Sequence, residues 1–203
     1  MTVPHIGIIV ECGPRGADEL VCRALAAAIL GEAQIDFACM HNKAKLLQGA
    51  GRAAAELLAT GCERVFVVWD LRPAWPDQSP RPCRKIERDQ LQTVLKEAGV
   101  DASRVSLICV EQELESWLLA DAEKLRRFLS TPAHAYAEIP ASKNPDLVPN
   151  PKAVVIKHFK AARGWRYADT RHAIRVIESG PIVLSRLRRS ASFARFEAKL
   201  TRP

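Results

Sequence analysis

The chain has 203 residues, 48% of them hydrophobic and 26% charged, enough to bury a sizeable core in one α/β domain with a helical extension or in two small domains. The apolar stretch Leu20 to Leu30 contains Arg23 and is too short to span a bilayer, and no basic segment with a long hydrophobic run after it opens the chain, so neither a membrane span nor a secretory signal is expected. The formal charge of +7 is uneven, −5 over residues 1–123 and +12 over residues 124–203. A basic second part beside a carboxylate-bearing first part suits a polyanion such as nucleic acid, although charge asymmetry alone identifies no substrate. The six cysteines (12, 22, 39, 62, 83 and 109) include no CxxC pair, which points to reduced thiols in a cytoplasmic protein.

In chain order, residues 5–11 (HIGIIVE) read as a first strand, followed by a Gly- and Pro-bearing turn and a helix that begins near Asp18 and Glu19 and reaches Leu30. A second strand is expected at 34–39 and a helix at 43–59, interrupted by Gly49 and Gly51. The segment RVFVVWD, 64–70, is a near-continuous β-branched and aromatic run and predicts a central parallel strand. Residues 71–83 hold four prolines and form a long loop, a feature that is uncommon in a compact domain unless it performs a function. A helix over 84–98 and a strand over 104–110 follow. These alternations predict a small, mostly parallel α/β sheet with helices on both faces. Beyond it, helical patterns at 122–129, 152–162, 169–178, 181–190 and 191–200 predict a helical C-terminal part, dividing the chain into a core of residues 1–123 and a basic extension of residues 124–203.

Acids fall where these strands end. Glu11 closes the first, Asp70 the third, and Glu111, Glu113 and Glu115 follow the fourth. Alternate residues of an extended segment point to one face, so the last three could converge. In a parallel sheet all carboxyl ends share one edge, where α/β proteins keep their chemistry. Carboxylates gathered there repel, and a divalent hard cation such as Mg2+ or Mn2+ relieves the repulsion while leaving room for phosphate oxygens.

The segments IGIIVECGPRGADE, VFVVWDLR and VEQELESWLLAD, and more loosely SFARFEAKL at 192–200, resemble the Toprim-like proteins, the fold shared by topoisomerases, primases and overcoming-lysogenization-type nucleases. They are most similar to small bacterial members of that group, some associated with phage defence. The resemblance implies a Toprim-like fold and a Mg2+-dependent nuclease or phosphodiester-processing site. Glu11 would serve as general acid or base or help hold a second ion, Asp70 would ligate the first ion, and Glu113, or Glu115 in its place, would add a direct or water-mediated contact. Two departures stand out. Cys12 separates Glu11 from Gly13, and Arg72 occupies the position of the second acid of the family's Asp-x-Asp pair. Arginine offers only donors and cannot ligate a cation. Either Asp77 in the long loop or an acid of the 111–115 cluster completes the site, or metal binding is weakened or lost.

Arg15 and Arg72 lie beside these acids and could grip phosphate, although a salt bridge holding the loop accounts for Arg72 equally well. Lys157, Lys160, Arg163 and Arg166, with Trp165 and Tyr167 between them, form a candidate DNA or RNA contact, set against packing of both aromatics between helices. The histidines are scattered and no His/Cys pair has zinc spacing. Alternatives to the enzyme are a non-catalytic nucleic-acid- or protein-binding module with a degraded metal site, and a nucleotide-binding regulator. A homo-oligomer or a defence-system partner protein fits either of the first two readings.

Overall fold

Among the described residues, runs of β-branched residues separated by Ala- and Leu-rich segments give four strands, β1 (His5–Val10), β2 (Gln34–Cys39), β3 (Arg64–Asp70) and β4 (Val105–Val110), linked by helices α1 (Ala17–Leu30), α2 (Lys43–Ala59) and α3 (Arg84–Glu97). The structure is a computed structural model that describes residues 3–72 and 82–202. Every strand pair is parallel, in the order β2-β1-β3-β4. The chain is therefore an α/β protein with helices on both faces of the sheet, as the alternation predicts.

Alternation along each strand sorts the core into two layers. Ile9, Val65, Val67, Trp69 and Cys109 meet α2 and α3 on one face. Ile6, Ile8, Val10, Phe66, Val68, Ile108 and Val110 face the other way, toward α1. With only α1 on that second face, the β3–β4 side would be bare. The C-terminal helices cover it: α4 (Glu115–Ala120), α5 (Ala122–Leu129), α6 (Pro151–Arg163), α7 (Asp169–Glu178), the short α8 (Leu184–Leu187) and α9 (Ala191–Leu200). The core thus runs unbroken across residue 123. Trp117 of α4 lies edge-on to Phe193 at 5.6 Å and against Phe196 at 5.3 Å, both on α9.

The apolar layer is keyed by one buried polar network. Asp146 accepts from the hydroxyls of Ser190 (2.7 Å) and Ser192 (3.0 Å) and from the Ser192 backbone N–H (2.7 Å). Trp117 Nε1 donates to Ser192 Oγ at 2.8 Å, so the network ties the turn at 145–147 to α4 and α9. Ser190 also N-caps α9, accepting from Phe193 N. That cap needs extended backbone at Ser190, which limits the helix expected over 181–190 to the single turn of α8. Among the described residues, no helix is long and apolar enough to cross a membrane.

Candidate functional site

The strand order contains a topological switch. From β1 the chain crosses to β2 by way of α1 on one face, then returns over α2 on the other face to β3. At the carboxyl ends of β1 and β3 the connections diverge, and that is where an open α/β sheet leaves a crevice. Glu11 and Asp70 stand at these two ends. A cavity of about 620 Å³ opens over them, walled by the turn before α1, the start of α4, and the N-terminal turns of α6 and α7.

Backbone donors orient both acids. Glu11 Oε1 accepts from Asp70 N at 2.8 Å, and Asp70 Oδ2 accepts from Leu114 N at 3.3 Å. Glu113 Oε2 accepts from Lys152 N at 3.2 Å, and Glu115 Oε1 from the Tyr167 hydroxyl at 3.2 Å. Thus β1, β3, the β4–α4 turn and the C-terminal helices are joined through the same carboxylates. Two further acids that the sequence reading did not assign complete the ring. Asp18 in the first turn of α1 accepts from Cys12 N at 3.2 Å, and Asp169 at the start of α7 pairs with Lys152 Nζ.

Electrostatically the cavity is overloaded with acid. Among the described residues, six carboxyl groups line it against two cationic side chains, Lys152 and Arg15. Burial, reinforced by Asp18, raises the Glu11 pKa from the ordinary 4.5 to about 8. Burial likewise raises Asp18 to about 6, and raises Glu115 to about 7 although Lys152 opposes the shift. Asp70 is pushed well above the carboxylate range by burial and by the charges of Asp18, Glu11, Glu115 and Glu113. Asp169 behaves differently: burial alone would raise it, but Lys152 outweighs burial and lowers its pKa. Lys152 therefore pairs most closely with Asp169, while Glu11 and Asp70 hold protons that carboxyl groups in water would release.

Backbone conformation marks the same place. Among the described residues, the non-glycine residues in the left-handed region are Arg15 (φ 59°), His41 (φ 69°) and Asn150 (φ 48°), and all three line this cavity. Such conformations cost free energy and concentrate at functional sites. His41 N donates to Cys12 O at 3.0 Å, which pins the β2–α2 turn to the β1–α1 turn at the rim.

The sequence-predicted residues separate cleanly. Glu11, Asp70, Glu113, Glu115 and Arg15 line the cavity. Asp77 lies outside the described residues. Glu111 does not join Glu113 and Glu115: β4 ends at Val110 and the chain turns into α4, so the strand-like alternation assumed for these acids does not apply. Glu111 instead pairs with Arg84 at 2.5 Å and Arg195 at 2.8 Å. Arg72 is exposed and outside the cavity lining, with its N–H donating to Gln112 O at 3.1 Å. Lys157, Lys160 and Arg166 are exposed on or just after α6, also outside the lining, and Arg163 lies 4.5 Å over the Trp165 ring. Tyr167 is buried, with its hydroxyl on Glu115, so its ring serves packing.

Asp18 was within reach of the sequence: an acid in the first turn after a strand-ending glutamate belongs to the same sheet edge. Asp169 and Lys152 carried no such signal, because their position depends on how the C-terminal helices fold back.

Fold and site together define an α/β protein with a carboxylate-lined crevice at its switch point. The family described as "Domain of unknown function (DUF4276)" matches residues 16–201, and the chain belongs to that family. No curated protein and no solved structure matches the chain.

Proposed function

We propose that this protein is a divalent-cation-dependent, phosphodiester-processing enzyme, a nuclease, with Glu11 and Asp70 at its centre and Glu113 and Glu115 beside them. The observation that carries the reading is the gathering of Glu11, Asp70, Glu113 and Glu115 around one cavity at the switch point, where burial and repulsion between neighbouring acids raise the pKa of Glu11 and Asp70. Crowding carboxyl groups out of water is unfavourable to their charged forms, and a fold that does so at its ligand crevice gains when a cation arrives. The donors fit: the set is all oxygen and rich in carboxylate, which suits magnesium or manganese. When bound, such an ion supplies Lewis acidity at a phosphate oxygen.

The protein's own groups would do the rest. Glu11, with a pKa near 8, can hold or release a proton close to neutrality, the property required of a general acid or base. Asp70 is fixed by Leu114 N, so its carboxylate meets a cation without rotamer search. Arg15 at the rim offers a charged fork to phosphate, and Lys152 offers an ammonium at the inner wall. The resemblance to Toprim-like proteins and the basic residues 124–203 favour nucleic acid as the polyanion.

A second reading, a non-catalytic binding module, draws support from Lys152. Its ammonium already pairs with Asp169 and lies 3.9 Å from Glu115, doing part of a cation's work. Assays on single- and double-stranded DNA and RNA with Mg2+, Mn2+ or chelator separate the two. The enzyme reading expects cation-dependent cleavage that falls at least about 100-fold in Asp70→Asn. Nucleic-acid retention without cleavage in either cation would favour the module.

A further inference from the structure

We propose that His5, Asp36 and Cys62 form a second metal site, for a single zinc-like transition-metal ion, at the amino-terminal edge of the sheet and thus opposite the carboxylate crevice. The three residues are far apart in the chain, 31 residues between His5 and Asp36 and 57 between His5 and Cys62. Parallel pairing of β1 with β2 puts His5 and Asp36 on the α2 side of neighbouring strands, and the α2–β3 turn brings Cys62 up to them. Their ligand atoms all lie within 4.8 Å of one another.

The geometry favours ligation over a catalytic relay. A Cys–His–Asp relay runs through both ring nitrogens, one facing the thiol and the other the carboxylate. Here one nitrogen faces both: His5 Nε2 is 2.8 Å from Asp36 Oδ2 and 3.5 Å from Cys62 Sγ. Sγ is 3.9 Å from the same Oδ2, so all three atoms face a common point. Tetrahedral zinc, with bonds of about 2.0–2.3 Å, separates its ligand atoms by roughly 3.3–3.6 Å. The observed 2.8, 3.5 and 3.9 Å bracket that range and reach it by small side-chain rotations. One nitrogen, one thiolate sulfur and one carboxylate oxygen form a borderline-soft set that selects zinc or cobalt over magnesium.

The frame around the site is already set. α2 ends in a Schellman motif, with Gly61 N donating to Leu58 O and Cys62 N to Leu57 O; Gly61 sits at φ 103°, which places Cys62 immediately after the helix. Arg104 holds the turn from outside by donating to Cys62 O at 2.7 Å and Glu63 O at 2.9 Å, while Glu63 N donates to His5 O at 2.7 Å. The carbonyl end of α2 also favours a positive charge at this position. Cys62 is fully buried and Asp36 is 40% exposed at its side chain, so an ion has protein on one side and a solvent path on the other.

The test is a titration of the full chain with Co2+ in the absence of other metals. One equivalent should produce the visible bands of tetrahedral cobalt and a near-ultraviolet thiolate-to-cobalt band, both displaced by Zn2+. The thiolate band should vanish in Cys62→Ala. Binding should weaken more than about 100-fold in Asp36→Asn, beyond the effect of an outer-shell change. The bands should persist in the Glu11→Gln, Asp70→Asn double variant, which separates this site from the crevice. No thiolate band in the wild type, or an unchanged band in Cys62→Ala, would overturn the proposal. Should Cys62→Ala not fold, the half-exposed Asp36→Asn decides, and wild-type affinity there would overturn it.

Discussion

Glu11 shows how a site residue can oppose the fold that holds it. Its carboxyl group is buried beside Asp18 and Asp70, and burial with the Asp18 charge outweighs the Lys43 charge and the Asp70 N–H, which favour the charged form. Glutamine keeps an oxygen for that N–H and loses the charge. Glu11→Gln should therefore stabilise the metal-free protein by about 1–3 kcal/mol while removing cation binding, a combination that a merely structural glutamate would not give. Denaturant unfolding in chelator checks the first half, and cation titration the second. The pH dependence follows with a definite sign. Glu11, raised to about 8, and Glu115, raised to about 7, keep protons in the folded state that the unfolded chain releases above its ordinary 4.5. Their contribution is complete below pH 4.5 and is lost as pH rises through 7 and 8. His158 and His172 are both lowered by burial and act in the opposite sense, but only below their ordinary 6.5. Between pH 7 and 8.5 the Tm of the chelated protein should fall, and saturating Mg2+ should flatten the slope. A Tm rising across that window would contradict the burial of an unpaired Glu11. In the sequence, Glu11 and Asp70 were legible because strand ends are legible; Asp169 and Lys152 were not, since an acid and a lysine on separate helices show nothing until those helices pack.

At the scale of elements, local signals were nearly sufficient. β-branched runs and Ala-rich helices place β1 to β4 and α1 to α3 within a residue or so of their observed bounds, because in each case propensity and burial agree. The disagreements are at junctions. Glu111, Glu113 and Glu115 read as sharing one face by strand-like alternation just past β4, but the apolar run that follows belongs to a helix with Trp117 in the core, and forming that helix turns the chain at Val110. Gly49 and Gly51 read as interruptions of α2, yet the helix continues through both. Gly51 allows close approach: a Cβ there would collide with the Val94 carbonyl of α3. Gly51→Ala should accordingly destabilise by about 1–3 kcal/mol, against the usual gain from alanine in a helix. Thermal unfolding checks it, and a stabilised variant would mean that α2 and α3 separate at no cost. Asp146 is a second case, with no warning in the local pattern. Asp146→Ala would leave the buried Ser190 and Ser192 donors without their acceptor, at a cost of about 3–5 kcal/mol. Near-ultraviolet dichroism of Trp117, whose indole binds Ser192, reports the loss locally.

For the molecule as a whole, the two parts of opposite charge are not two bodies but two walls of one crevice. Residues 1–123 supply the strand ends, Glu113 and Glu115, while the C-terminal helices supply Lys152, Asp169 and the cover over β3 and β4. The composition shift near residue 124 was visible in the sequence, and so was a helical extension. That this extension shares the core and closes the site depends on long-range packing of Trp117 with Phe193 and Phe196, which no local pattern encodes. A cation binding between the walls binds only the folded state, so it should raise global stability by mass action, about 2.7 kcal/mol at a hundredfold excess over Kd. The most direct measurement is calorimetric titration of Mn2+ and Mg2+ into the chelator-stripped protein and into the Glu11→Gln, Asp70→Asn double variant. Saturable binding to the wild type that is lost in the folded double variant is the predicted result. Equal, negligible heats in both would contradict the claim that these carboxylates hold a metal.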